Sequence, residues 1–126
     1  MLFRSRLVIP KLPRCVRIAE FLDGTSQTIL VGEKAMSPLL YELPTWYWDE
    51  PFFLGGSDST VRKGRRVVPD YFAAPSRYVD NWGSAHPGGA QFGFADGSLR
   101  LLQHGTPSRT VRALLTPRGG EYVDPF

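Results

Sequence analysis

Gln91-Phe92-Gly93-Phe94-Ala95-Asp96-Gly97-Ser98-Leu99-Arg100-Leu101-Leu102 decides the fold. Two alternating apolar runs flank Asp96-Gly97, and that dipeptide is a strong short-range hairpin signal, because a type I′ turn needs positive φ at both central residues. A two-residue loop sets Ala95 opposite Ser98, Phe94 opposite Leu99, Gly93 opposite Arg100 and Phe92 opposite Leu101. In that register Phe92, Phe94, Leu99 and Leu101 share the core face. Downstream, Thr106-Pro107-Ser108-Arg109 starts a helix, with Val111, Leu114 and Leu115 on one stripe and Gly119-Gly120 ending it. Upstream, Thr28-Ile29-Leu30-Val31-Gly32-Glu33 is an apolar, β-branched run that reads as a strand buried on both faces. The prediction is an α+β fold with a small antiparallel sheet. Its strands span about 28–34, 91–95 and 98–102, with a helix near 107–116.

The 126 residues suit one domain. With 13 Gly and 11 Pro, turn-formers interrupt the chain too often for a helical bundle. Apolar residues at 42% and charged residues at 21% mark a globular composition. No apolar stretch approaches the roughly 20 residues that span a bilayer. The lone Cys15 excludes an internal disulfide and a Cys-based zinc site.

Charge divides the chain. Arg4, Arg6, Lys11, Arg14 and Arg17 give residues 1–17 a charge of +5, and the remainder carries −2. A nucleic-acid binder holds its positive charge on a folded face. Here it sits on an arm interrupted by Pro10 and Pro13, so no nucleic-acid partner is expected. The arm does not read as a secretory leader, since its short apolar patch ends at Pro10. The expected organisation is a basic arm over 1–17, read as a non-native start, and a single globular domain over 18–126. A loop-rich insertion at about 35–80 is marked by Pro38, Pro44, Pro51, Pro69 and Pro75, with a brief strand at 66–68.

Each residue type with chemical potential has a structural reading beside it. His86 could act as an acid/base group or a metal ligand. No second ligand lies at metal spacing, so its ring is expected to tie the Gly-rich loop to the hairpin or to Glu33. His104, after a strand, is expected to be exposed. Asp96 is explained as a turn residue. Asp23, with Thr25 and Ser26, reads as a helix cap or Asx-turn. No nucleophile elbow surrounds Ser26 or Ser84, and Gly88-Gly89 is too short to cradle a phosphate. Trp46, Tyr47, Trp48 and Trp82 are the binding candidates, since aromatic platforms hold sugars, although such clusters also complete small cores. Asp49, Glu50, Asp58, Asp70 and Asp80 are scattered rather than spaced as a calcium loop. The reading names no catalytic residue, no metal and no cofactor.

Three segments together resemble a known family. Asp23-Gly24-Thr25-Ser26-Gln27-Thr28-Ile29-Leu30-Val31-Gly32-Glu33 is similar to the D-G-T-S-N-T-I-L-V-G-E signature of a domain of unknown function, family 1559, abundant in planctomycete bacteria. Gly83-Ser84-Ala85-His86-Pro87-Gly88-Gly89-Ala90 resembles its G-S-x-H-x-G-G-A signature. Nine residues separate His86 from Asp96-Gly97, which resembles the H-x9-D-G motif of prepilin-type, processing-associated proteins. Ala113 to Gly119-Gly120-Glu121 is similar to the family's C-terminal stretch. Three motifs in order are far more specific than one.

The resemblance implies a pseudopilin-like, exported protein of the cell envelope, periplasm or exterior, connected with type II secretion-like machinery. Asp23, Gly24, Thr25, Ser26, Gly32, Glu33, His86, Gly88, Gly89, Asp96 and Gly97 would be its structural motif residues. The expected role is a non-enzymatic assembly protein, a pilin-like globular head whose N-terminal prepilin helix is missing. Its partners would be further copies or other pseudopilin-like subunits, with membrane contact only through that helix. Without the helix, the face of Phe92, Phe94, Leu99 and Leu101 is expected to lie uncovered. A rival reading is an exported carbohydrate or surface-ligand module built on the Trp46-Tyr47-Trp48 cluster. A third is an enzyme centred on His86 and Asp96.

Overall fold

A computed structural model describes residues 16–42, 60–70, 80–121 and 123. The hairpin joins β4 (Gly89–Phe94) to β5 (Leu99–Gln103). Its register pairs Gly93 with Leu99, Phe92 with Arg100, Gln91 with Leu101 and Ala90 with Leu102, one residue away from the two-residue-loop register. The Gly97 N–H donates to the Phe94 carbonyl at 3.0 Å, and the Phe94 N–H donates to the Ser98 carbonyl at 2.9 Å. Gly97 has φ +85°, and no described non-glycine residue has positive φ. Asp96 therefore does not join Gly97 in a type I′ turn. The loop is the three-residue kind, Ala95-Asp96-Gly97, with glycine in the left-handed position. Asp96 Oδ1 favours this shape by accepting the Ser98 N–H at 2.9 Å and the Ser98 hydroxyl at 2.7 Å.

A one-residue slip sends alternate side chains to the other face. Leu99 and Leu101, expected on one face with Phe92 and Phe94, lie on the opposite face and are 74% and 50% exposed. Leu102 turns inward beside Phe92 and Phe94 and is buried. Arg100 sits at the rim of the inner face with its guanidinium 4.6 Å above the Phe94 ring.

β1 (Ile29–Gly32) completes an antiparallel sheet of order β1-β4-β5. The fold is α+β, as the sequence predicts. β1 is shorter than 28–34, and its pairing with β4 shifts between Ile29 and Val31. The extra residue there is a bulge, which bends the strand. Ile29 is buried, whereas Leu30 and Val31 are 43% and 40% exposed. The expectation of a strand buried on both faces is thus corrected: one side of this sheet is covered and the other is open.

Beyond β1 the chain crosses to a second sheet. Lys34 bridges Trp82, the Gly83 N–H donates to the Glu33 carbonyl, and the Ala35 N–H donates to the Asn81 carbonyl. That sheet is the parallel pair β2 (Val67–Pro69) and β3 (Trp82–Ser84). The brief strand expected at 66–68 starts one residue later. β3 was not foreseen, because Trp-Gly-Ser carries no apolar alternation, and its place is set by Glu33 to Ala35 and β2 on its two edges.

α1 (Ser108–Leu114) is flanked by Pro107 and Leu115 as caps, trimming the predicted 107–116. Val111, Leu114 and Leu115 share one buried cluster with Ile29, Val67, Trp82, Ala90, Phe92, Phe94 and Leu102. The expectation that Phe92 and Phe94 lie uncovered is therefore overturned: the cluster they share with Trp82 and the C-terminal helix buries them, and they are 0% and 3% exposed. Within 35–80, Ala35, Val61, Arg62 and Val67 are buried. The aromatic residues at 46–48 and 52–53 lie outside the described residues. Among the described residues, no helix is long and apolar enough to cross a membrane.

Candidate functional site

The motif residues gather at the two ends of the hairpin. At the open end, Glu33 follows β1 and pairs with Gln91 twice. Its own N–H donates to the Gln91 carbonyl at 3.1 Å, and its Oε2 accepts the Gln91 N–H at 2.7 Å. Glu33 Oε1 lies 3.3 Å from His86 Nε2, with the two side chains 36% and 60% exposed. The His86 N–H donates to Ser84 Oγ at 3.0 Å, and that hydroxyl donates to the Gly89 carbonyl at 2.7 Å. Both capacities of buried Ser84 are thus held by backbone, a role that shapes the 84–89 loop.

His104 Nε2 lies 2.8 Å from the His86 carbonyl, which can only accept, so that nitrogen is the donor. Nδ1 is buried without a hydrogen-bond partner. His104 was expected to be exposed and is instead partly buried, because the 84–89 loop reaches over it.

At the turn end, the Asp96 N–H donates to the Thr25 carbonyl at 3.2 Å and the Ala95 N–H to the Thr28 carbonyl at 2.9 Å. The Gly24 to Thr28 segment thereby lies along the hairpin loop. Asp23 does not cap that segment. Gly24 is the N-cap of the 3-10 turn Thr25–Gln27, which holds Thr25 and Ser26, and no side chain bonds there. The Asp23 carboxylate instead reaches across the chain to accept the N–H groups of Gly119 at 2.6 Å and Gly120 at 2.8 Å. The Asp23 N–H donates to the Pro117 carbonyl, and Arg118 pairs with Glu20 at 2.7 Å. The cap or Asx-turn reading is corrected: a long-range clasp holds the segment after α1. The sequence signal was present in Gly119-Gly120, two adjacent N–H donors beyond a helix end, but its acceptor lies 96 residues away.

Asp96 lies at the surface with its side chain 30% exposed, and hydrogen bonds from the Ser98 hydroxyl and N–H hold its carboxyl below the ordinary value of 3.8, with help from Arg100 at 4.0 Å. A depressed carboxylate stabilises the fold above its unfolded pKa and loses that contribution as pH falls through its lower folded value. Asp96→Asn keeps the acceptor and loses the ionisation. We expect its melting temperature at neutral pH to lie close to wild type. Below about pH 4 it should lose less stability than wild type, as thermal melts over a pH series would show. An identical acid profile for the two proteins would contradict this role for Asp96.

His86 and Asp96 lie at opposite ends of β4, whose six residues span about 20 Å at the usual strand rise. They do not form one centre. Among the described residues, no three His, Cys, Asp or Glu side chains gather as a metal site. Asp70 accepts the Met36 N–H at 2.8 Å and the Tyr41 hydroxyl at 2.6 Å, a tie between loops. Asp49, Glu50 and Asp58 lie outside the described residues, as do Trp46, Tyr47 and Trp48.

Trp82 is corrected as a binding candidate. It is 0% exposed, its Nε1 donates to the Gly64 carbonyl at 2.9 Å, and its ring lies 5.5 Å from Phe92 at 58°. Sequence reasoning missed a shallow cleft of about 480 Å³ between β2 and residues 105–108, with Arg66, Pro69, Thr106 and Ser108 among its walls. The uncovered sheet face that the sequence predicts is present, but Val31 joins Leu99 and Leu101 on it in place of Phe92 and Phe94. Val31 lies over Gly93, where an added Cβ would come 2.7 Å from its Cγ2, and Leu99 lies 3.7 Å from the same point. Leu101 approaches Gly88 nearby.

A protein-family model described as "Protein of unknown function (DUF1559)" matches residues 6–107. No curated protein and no solved structure matches the chain.

Proposed function

Because the chain belongs to the DUF1559 family of proteins of unknown function, we propose that it is a non-enzymatic assembly protein, the globular head of a pseudopilin-like subunit of the cell envelope. One observation carries this reading: the open face of the sheet presents Val31, Leu99 and Leu101 to solvent, with Leu30 at the bulge. Full burial of such a side chain is worth roughly 1.5–3 kcal/mol, so a partner that covers several gains substantially. The signature residues support the same reading. Asp23, Glu33, Ser84 and Asp96 are each engaged in hydrogen bonds that shape loops. The carbohydrate reading keeps only Trp46, Tyr47 and Trp48, since Trp82 is buried, and no observation favours it.

The test is photo-crosslinking in the native cell from a reactive residue placed at Val31 or Leu99, with cell fractionation. The expected result is recovery in the envelope fraction and crosslinks to a pilin-type subunit or to a second copy. A protein confined to the cytosol, with no crosslink from either position, would refute the proposal.

A further inference from the structure

Hydrogen bonding along β5 singles out its outer edge. Phe94 bonds to Ser98, and residues 91 and 95 of the β4 chain face β1. Alternation then directs the backbone groups of Arg100 and Leu102 toward β4 and those of Leu99 and Leu101 outward. β5 is the last strand of its sheet. Among the described residues, neither Leu99 nor Leu101 has a further hydrogen bond. Their side chains are among the most exposed of the large apolar residues.

The other sheet edges are blunted as edge strands usually are. β1 carries its bulge. β2 ends in Pro69, and its Val67 carbonyl accepts the Gly105 N–H at 3.1 Å. β5, Leu99-Arg100-Leu101-Leu102-Gln103, has no bulge, no proline and no lysine.

We propose that a second copy of this chain pairs antiparallel along β5, joining two three-stranded sheets into one of six strands. This rests on the assembly reading and names a surface and a partner for it. An antiparallel edge is self-complementary under a two-fold axis. Setting Leu99 opposite Leu101 of the other copy uses all four outward groups of each chain in four new hydrogen bonds, and stacks the leucines as cross-strand pairs. Moving the register toward Gln103 is disfavoured, because its carbonyl already accepts the Thr106 N–H and hydroxyl. The chosen register sets the two Arg100 side chains opposite each other. Each already has Asp96 at 4.0 Å and the Phe94 ring beneath it, which moderates their repulsion.

Two measurements on the whole chain test the pairing. Sedimentation of the wild type should give twice the chain mass at high concentration. Leu101→Pro removes one outward N–H per copy and leaves the β4 ladder intact, so it should weaken the dimer roughly tenfold to a hundredfold. Leu101→Thr keeps the N–H and should weaken it less. Amide exchange needs no variant: Leu99 and Leu101 should become protected as the dimer forms, while Arg100 and Leu102 are protected at every concentration. A dimer in which Leu99 and Leu101 exchange freely would overturn edge pairing, and if that dimer were lost on Val31→Lys the assembly reading would stand. A chain that is monomeric at every concentration yet crosslinks to an envelope subunit would likewise remove this proposal alone.

Discussion

Trp82→Ala is expected to lose about 3–5 kcal/mol, the range for truncating a large buried aromatic. That is a large share of the roughly 5–15 kcal/mol that holds a domain together. Trp82 is fully buried and joins both sheets: its backbone belongs to β3, its ring meets Phe92 of β4, and its indole N–H satisfies the Gly64 carbonyl. Removing the ring opens a cavity between the sheets and leaves that carbonyl without its donor. Trp82→Phe should retain much of the packing and lose the single hydrogen bond, worth about 0.5–1.5 kcal/mol. Denaturant titration of the three proteins should rank wild type, Phe and Ala in that order. A Trp82→Ala protein as stable as wild type would contradict the central position assigned to this ring.

Gly89→Ala should cost about 2–4 kcal/mol, combining a backbone conformation unfavourable to side chains with overpacking. Gly89 has φ +151°, and an added Cβ would run into the carbonyl of Leu102 and come within 2.9 Å of Gln103 Cα. Those atoms belong to β5 and cannot withdraw without opening the ladder. Gly88 supplies the control. Among the described residues, a Cβ there meets only Leu101 Cδ2, at 3.6 Å, so Gly88→Ala should be nearly neutral. Equal denaturation midpoints for the two variants would contradict this account of the Gly88-Gly89 pair.

Part of the candidate site was legible in the sequence. The Asp96 turn involves a residue type that announces short-range hydrogen bonding, and Glu33 was one of the two partners expected for the His86 ring, although it lies far away in the chain. Asp23 was misread because an aspartate followed by Gly-Thr-Ser matches a local cap as well as a distant clasp, and only the position of Gly119 and Gly120 separates the two. His104 was misread for a related reason: nothing in its own neighbours shows that the 84–89 loop folds over it.

The sequence by itself determined the α+β class, the hairpin about Asp96-Gly97, the strand through Ile29 and the amphipathic helix after Pro107, because each rests on a periodicity or turn preference contained within a few residues. Tertiary structure decided the hairpin register, since Asp-Gly suits a two-residue loop and a three-residue loop with glycine in the left-handed position, and the burial of Leu102 in the cluster that includes α1 residues favours the second. It also decided that Trp82 lies in the core rather than on a binding surface. Burial of an aromatic ring depends on what folds over it, and here that is β2, β4 and the chain beyond β1, drawn from positions far apart in the sequence.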